Sequence, residues 1–177
     1  MSTAVHIPET ICVSLIGMAG AGKSTLAPLL AHALGWPHMD TDQLVEAYMG
    51  GSLQEIYDAA GSEDFLALEE RTVASVAASR MVLSTGGSVA YSPRAMARLR
   101  LLGPVIWLRI SLPTFLARVG KADNRGFVRR AGLDLAGIYA ERQPLYAQAA
   151  DFVVDTDLNS PEECVRIVMD WLAAHYS

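Results

Sequence analysis

Two lysines, Lys23 and Lys121, are all that 177 residues contain, against twelve arginines. The arginine bias fits genomic composition as readily as function. Because no lysine or arginine precedes Lys23, the apolar run from Ile11 to Gly22 lacks the basic segment that a secretory signal carries. Cysteine is equally scarce. Cys12 falls in an expected strand and Cys164 far away near the end, a separation that excludes a disulfide framework and metal-ligand spacing. Both read as buried thiols in a reducing compartment. No apolar run is long enough to cross a bilayer. There is no basic cluster, and a net charge of −5 argues against broad binding to nucleic acid or an anionic membrane. Internal repeats and low-complexity segments are absent too. The expectation is a cytoplasmic monomer with neither nucleic acid nor membrane as a partner.

What is present reads as globular: 51% of the residues are hydrophobic and 19% charged. The length suits one α/β domain and is short for two. The scarcity of lysine gives weight to the place where one occurs. Gly17-Met18-Ala19-Gly20-Ala21-Gly22-Lys23-Ser24-Thr25 follows the β-branched run Ile11 to Ile16 and leads into the apolar-periodic Leu26, Leu29, Leu30, Ala33 and Leu34. A strand, a small-residue loop and a helix start form the context that the Walker A spacing G-x-x-x-x-G-K-[S/T] requires. Glycines let successive N–H groups face one concavity, and the helix N-terminus adds partial positive charge there. The expected nucleotide-binding residues are therefore Gly17, Ala19, Gly20, Ala21, Gly22, Lys23, Ser24 and Thr25. Lys23 supplies a charge for the outer phosphates, and the Ser24 hydroxyl a ligand for Mg²⁺.

Read in order, Met1 to Thr10 is polar and unpatterned and is expected to fray. Gly35-Trp36-Pro37 stops the first helix, and His38 to Asp40 is a very short strand. Thr41 or Asp42 is placed to cap a helix over Gln43 to Met49. Gly50-Gly51-Ser52 starts another, Leu53 to Ala60. Gly61-Ser62 opens a third, to about Ser79, with Phe65, Leu68, Thr72, Val73 and Val76 on one face. Strands follow at Met81 to Ser84, Val105 to Leu108 and Phe152 to Val154. Helices are expected over Pro93 to Leu102, Leu112 to Val119, about Leu135 to Ala149 and Pro161 to His175. Continuously apolar strands alternating with helices mean a parallel sheet covered on both faces.

Such a sheet places its site at the carboxyl ends of its strands. Three groups fall there: Gly17 to Ser24, then Asp40 and Asp42, then Gly86-Gly87-Ser88. Carboxylates beside a triphosphate are costly unless they hold metal, order water or take a proton from an acceptor. Asp42 reads equally well as a helix N-cap, and Gly86-Gly87 as a tight turn. The polar stretch Gly120 to Gly132, with Lys121, Arg125, Arg129 and Arg130, reads as a cationic lid or as a solvated loop.

Together these pieces resemble the shikimate kinase family of P-loop small-metabolite kinases, from Val13 to about Thr156. The resemblance rests on Gly17 to Thr25, on D-T-D (Asp40 to Asp42) and on a G-x-x-x-F-x-x-x-E frame (Gly61, Phe65, Glu69). T-G-G (Thr85 to Gly87) and R-x-P-L-Y (Arg142 to Tyr146) complete it. It implies a nucleoside-monophosphate-kinase-like P-loop fold, a three-layer α/β/α sandwich around a five-stranded parallel sheet in the order 2-3-1-4-5. One domain is implied, with a core over 11–40, 72–118 and 133–177, an acceptor-binding region over 41–71 and a lid over 120–132. By the same resemblance Ser24 ligates Mg²⁺ and Asp40 reaches it through water. Asp42 meets the acceptor hydroxyl as base or positioner, Arg118 packs on adenine, and Arg125 swings in from the lid. Gly86, Gly87 and Ser88 border the acceptor, and Arg142 binds its carboxylate.

The departures from the family pattern gather on the acceptor side. The family's arginine after the frame phenylalanine, which grips the shikimate carboxylate, is Leu66 here. Such a charge-assisted contact is worth roughly 1.5–3 kcal/mol, about ten- to a hundredfold in binding. The third glycine of G-G-G is Ser88, the lid's Arg-Pro is Arg125-Gly126, and Pro28 sits early in the first helix, where it removes one backbone bond near Ser24. The expected activity is γ-phosphoryl transfer from MgATP to a small hydroxy acid in amino-acid biosynthesis, either shikimate or homoserine. Homoserine needs one carboxylate partner, Arg142, and an acidic group such as Asp42. The alternatives are a non-catalytic nucleotide-binding module, against which Asp42 and Arg142 count, and a gluconate or nucleotide kinase. A GTPase switch is disfavoured, because neither N-K-x-D nor D-x-x-G occurs where one would need it.

Overall fold

Five short runs of aliphatic and β-branched residues build the centre of the molecule. The computed structural model describes residues 7–8, 10–119 and 132–176. In chain order the strands are β1 (Cys12–Ile16), β2 (His38–Asp40), β3 (Met81–Ser84), β4 (Val105–Arg109) and β5 (Phe152–Asp155). All pair in parallel, in the order β2-β3-β1-β4-β5. Every residue of β1 is buried, as expected of a central strand covered on both faces. Among the described residues seven helices cover the sheet: α1 (Lys23–Leu34), α2 (Thr41–Met49), α3 (Leu53–Ser75), α4 (Pro93–Leu102), α5 (Leu112–Val119), α6 (Leu135–Ala149) and α7 (Pro161–Tyr176). Helix α1 packs against α7, and α3 against α4, giving the three-layer α/β/α arrangement. The main core runs from Ile7 and β1 to Leu172 on α7. Ile7 is buried in it, against the expectation that Met1 to Thr10 frays.

Sequence expectation and structure differ at two boundaries, the start of α2 and the end of α3. Helix α2 starts at Thr41, and its cap is Asp40, whose carboxylate accepts from the Asp42 amide at 2.9 Å; neither Thr41 nor Asp42 is the cap. A carboxylate two residues before the orphan amide reaches it without strain, which leaves the Asp42 side chain for other work. The break expected at Gly61 is present, for α3 is two helical stretches joined at a kink where Gly61 is non-helical at φ 77° and ψ 175°. Ser52 starts α3 with a capping box to Glu55. The helix ends at Ser75 rather than Ser79, where the Ser75 hydroxyl donates to the Thr72 carbonyl and Val76 turns extended.

A second, smaller core joins α2 to the first half of α3. Val45, Ile56 and Phe65 form it, with Leu53, Tyr57, Leu66 and Leu68 packed around them. The Tyr57 and Phe65 rings meet edge to face at 5.4 Å. The expected lid, including Lys121, Arg125, Arg129 and Arg130, lies outside the described residues.

Candidate active site

The loop between β1 and α1 bends through left-handed backbone where its glycines require it. At Gly17, φ +142°, a Cβ would strike the carbonyl oxygen of Leu108 on β4. Gly22, φ +92°, is the N-cap of α1 and offers no side chain to the first-turn amides, so these stay available to an anion. Lys23 begins the helix and is buried, with Nζ donating to the carbonyls of Gly17 at 2.7 Å and Met18 at 2.8 Å. The ammonium therefore folds onto the rim of the loop. Burial pulls its pKa below the ordinary lysine range, against the attraction of Asp42 and Asp40. Over the loop opens a cavity of about 460 Å³ lined by Ala19, Gly20, Gly22, Lys23, Ser24 and Thr25.

The same cavity takes in the end of β2. The Asp40 carboxylate is held by the Ser84 hydroxyl at 2.6 Å and the Asp42 amide at 2.9 Å, and the Ser24 hydroxyl lies 3.5 Å away. Among the described residues no group of three or more His, Cys, Asp or Glu side chains forms a metal cage. One hydroxyl and one fixed carboxylate beside a phosphate cradle instead suit Mg²⁺, which keeps waters and phosphate oxygens as its other ligands. Burial, with Asp40 close by, raises the Asp42 carboxyl above the usual range, and Lys23 opposes that rise.

Beyond Asp42 the wall is made by Thr85, Gly86, Gly87 and Ser88, by Glu69 from α3 and by Arg142 from α6. Gly86 is a point of close approach: a Cβ there would stand 2.5 Å from Glu69 Oε1 and 2.7 Å from Asp42 Oδ1. The Ser88 hydroxyl donates to Glu69 Oε2. Burial, then the charge of Asp42, push the Glu69 carboxyl up to about 8, opposed by the Ser88 hydrogen bond and by Arg142. Arg142 is 1% exposed, and Gly87 admits its guanidinium, for a Cβ there would lie 3.2 Å from Nη1. The buried Tyr146 hydroxyl donates to the Gly87 carbonyl and so fixes the turn to α6.

Most site residues expected from the sequence thus meet in one place. Gly17 and Ala21 shape the loop without lining this cavity. Ala21 lines an adjoining cavity of about 310 Å³ with Gly22, Thr25, Arg118, Thr156 and Asn159. Arg118 borders both cavities and donates to the Gly20 carbonyl at 2.6 Å. Arg125 lies outside the described residues. Glu69, Ser84, Tyr146 and Thr156 were not singled out as site residues from the sequence. A signal for Glu69 existed: a carboxylate four residues after Phe65 falls on the apolar face of α3. Thr156 directly follows β5, at the sheet end where the other groups gather.

The comparisons with known proteins fall on the same frame. The family model described as shikimate kinase matches residues 19–173. A shikimate kinase of Moorella thermoacetica is 37% identical over 164 residues, 92% of this chain and 94% of that protein. One from Symbiobacterium thermophilum is 38% identical over 168 residues, covering 90% and 95%. A solved shikimate kinase from Acinetobacter baumannii, in complex with shikimate, superposes with a TM-score of 0.84 at 24% identity, covering 94% of this chain and 95% of that one. With a family model spanning most of the chain and relatives well above 30% identity over nine-tenths of it, the protein belongs to the shikimate kinase family and is an ATP-dependent kinase with a hydroxyl group as acceptor.

Proposed function

We propose that the chain transfers the γ-phosphoryl group of MgATP to the hydroxyl of shikimate. The observation that carries this reading is the single cavity in which the phosphate loop, Asp42 and Arg142 meet. The curated relatives named as shikimate kinases support the acceptor. In this reading residues 41–71 form the acceptor-binding region and residues 120–132 the lid of one kinase domain. Gly17 to Thr25 cradle the phosphates, Lys23 leaves its loop carbonyls to meet the outer ones, and Arg118 flanks the base in the adjoining cavity. Ser24 and Asp40 would hold Mg²⁺, which neutralises charge on the transferred phosphoryl when bound. Asp42, with its proton affinity raised by burial, orients the acceptor hydroxyl and takes its proton. Gly86, Gly87 and Ser88 bound the acceptor, Arg142 pairs with its carboxylate, and Arg125 closes over the phosphates. Catalysis on this account is mostly positioning and charge neutralisation.

A second acceptor, homoserine, is favoured by one feature. Leu66 sits with the smaller apolar core, and with burial holding the Glu69 carboxyl neutral the acceptor side sets one carboxylate, Asp42, against the guanidinium of Arg142. A zwitterion matches that balance of charge. The test is a coupled ADP-release assay with purified protein and MgATP against shikimate, homoserine, gluconate and nucleoside monophosphates. Shikimate-dependent turnover is expected; turnover with homoserine alone would move the assignment, and none with any acceptor would overturn it.

A further inference from the structure

A single guanidinium can grip a carboxylate well only if it is held in place beforehand, because an arginine side chain otherwise loses much rotamer freedom on binding. What holds Arg142 is visible in the structure. The residue after the Thr85-Gly86-Gly87-Ser88 turn enters a short 3-10 turn, Val89–Tyr91. Its last member, Tyr91, is engaged by two consecutive residues of α6. The Tyr91 hydroxyl donates to Glu141 Oε2 at 2.6 Å, and Arg142 Cζ stands 4.9 Å from the centre of the Tyr91 ring. Burial and the neighbouring Glu141 raise the phenol pKa, so the hydroxyl stays a donor. Four residues on, one helical turn away, Tyr146 ties the same helix to Gly87. Turn and helix are thus locked together on both sides of the Arg142 guanidinium. Leu66 and Tyr91 also line one small cavity of about 220 Å³, which shares Glu69 and Ser88 with the acceptor cavity.

We propose that Tyr91 is a positioning residue for acceptor recognition: its ring, fixed at the hydroxyl by Glu141, holds the Arg142 guanidinium in the orientation that meets the acceptor's carboxylate. The inference rests on the reading of Arg142 as the carboxylate partner. It makes the Tyr91–Glu141 pair the means by which a pocket with Leu66 in place of a second cation keeps its selectivity for an anionic acceptor.

The experiment measures steady-state kinetics of the full chain with the acceptor it turns over best and with that acceptor's methyl ester. Tyr91→Leu removes the aromatic face. A desolvated cation–π contact is worth roughly tenfold or more, so the acceptor KM is expected to rise about tenfold and the acid-over-ester preference to fall by as much. The KM for ATP stays unchanged. Tyr91→Phe, which keeps the face, restores the acceptor KM to within about threefold of wild type, an outcome that general packing damage would not give. Glu141→Ala, a partly exposed change that removes the same hydrogen bond as Tyr91→Phe, is the variant to use if Tyr91→Leu fails to fold; it should raise the acceptor KM by about two- to threefold, and no rise would overturn the proposal. Arg142→Ala separates the two layers of the argument. If it abolishes the acid-over-ester preference while Tyr91→Leu leaves that preference intact, the proposal for Tyr91 falls and the reading of Arg142 stands. If Arg142→Ala leaves the preference intact, or if wild type turns over no acceptor, the reading of Arg142 fails and takes the proposal with it.

Discussion

Gly86→Ala is the most direct test of the acceptor side. The φ of Gly86 lies outside the left-handed region, so alanine is admissible in the backbone itself. What it meets is the tip of two side chains, Glu69 Oε1 at 2.5 Å and Asp42 Oδ1 at 2.7 Å. Ordinary contact begins at 3.4 Å, so the carboxylates must retreat by 0.9 Å and 0.7 Å respectively. Both belong to rotatable side chains, and the fold can absorb the change. The disturbed Ser88–Glu69 hydrogen bond costs about 1 kcal/mol, which for a chain of this size lowers Tm by roughly 2–4 °C. Catalysis is less forgiving. Misplacing a positioning group by about 1 Å costs on the order of a hundredfold in rate. The expected outcome is kcat down by about two orders of magnitude, with nucleotide affinity, read by titration with a non-hydrolysable ATP analogue, unchanged. ADP release and thermal unfolding on the same preparation check it. A kcat within twofold of wild type would mean that neither carboxylate bears on the reaction, and a parallel loss of nucleotide affinity would mean that the two sides of the cavity are not separable as described.

Lys23→Ala should abolish turnover with every acceptor while leaving the far-ultraviolet circular dichroism unchanged, and residual kcat near wild type would refute the role given to the loop. Leu66→Arg should raise kcat/KM on shikimate about ten- to a hundredfold and leave the KM for ATP alone, if position 66 limits the grip on the carboxylate; competition assays between shikimate and homoserine check this directly. Glu69 makes a prediction for stability. Its carboxyl is raised from 4.5 to about 8 in the folded chain, which therefore binds the proton more tightly than the unfolded chain does. The neutral form's contribution is complete below pH 4.5 and is lost as pH rises through about 8. Thermal unfolding of the nucleotide-free protein across that window should show Glu69→Gln gaining Tm relative to wild type as pH increases; a constant difference would refute the shift.

The donor side was legible because its chemistry is contiguous. Nine residues, Gly17 to Thr25, carry the bend, the lysine and the helix start, and their flanks state strand and helix by apolar pattern alone. The acceptor side is assembled from α2, α3, the turn after β3 and α6, so its contacts join residues with no local relation in sequence. Ser88 and Glu69 are 19 residues apart, and Tyr91 and Glu141 are 50 apart. No periodicity announces such pairs. The cap of α2 illustrates a finer limit: in Asp40-Thr41-Asp42 all three side chains can accept from a helix amide, and only the backbone direction selects Asp40. Gly61 shows the converse, since a glycine inside an otherwise helical stretch reads as a break, and the backbone leaves the helical region there at φ 77° and ψ 175°.

The two hydrophobic cores tie the two sides of the cavity to the fold to different degrees. The phosphate loop grows from β1, which lies inside the main core buried at every position, so each neighbour constrains the next. A substitution there must satisfy the sheet as well as the ligand. Leu66 belongs instead to the small cluster around Val45, Ile56 and Phe65, separate from the main core. Leucine at that position adds to an apolar cluster, so it favours the fold. Energetic effects of changes that share no partners add independently. An apolar residue at position 66 therefore leaves the cradle beneath it undisturbed, and on the proposed reading the grip on an acceptor carboxylate falls to the Arg142 guanidinium and the Tyr91 ring beside it.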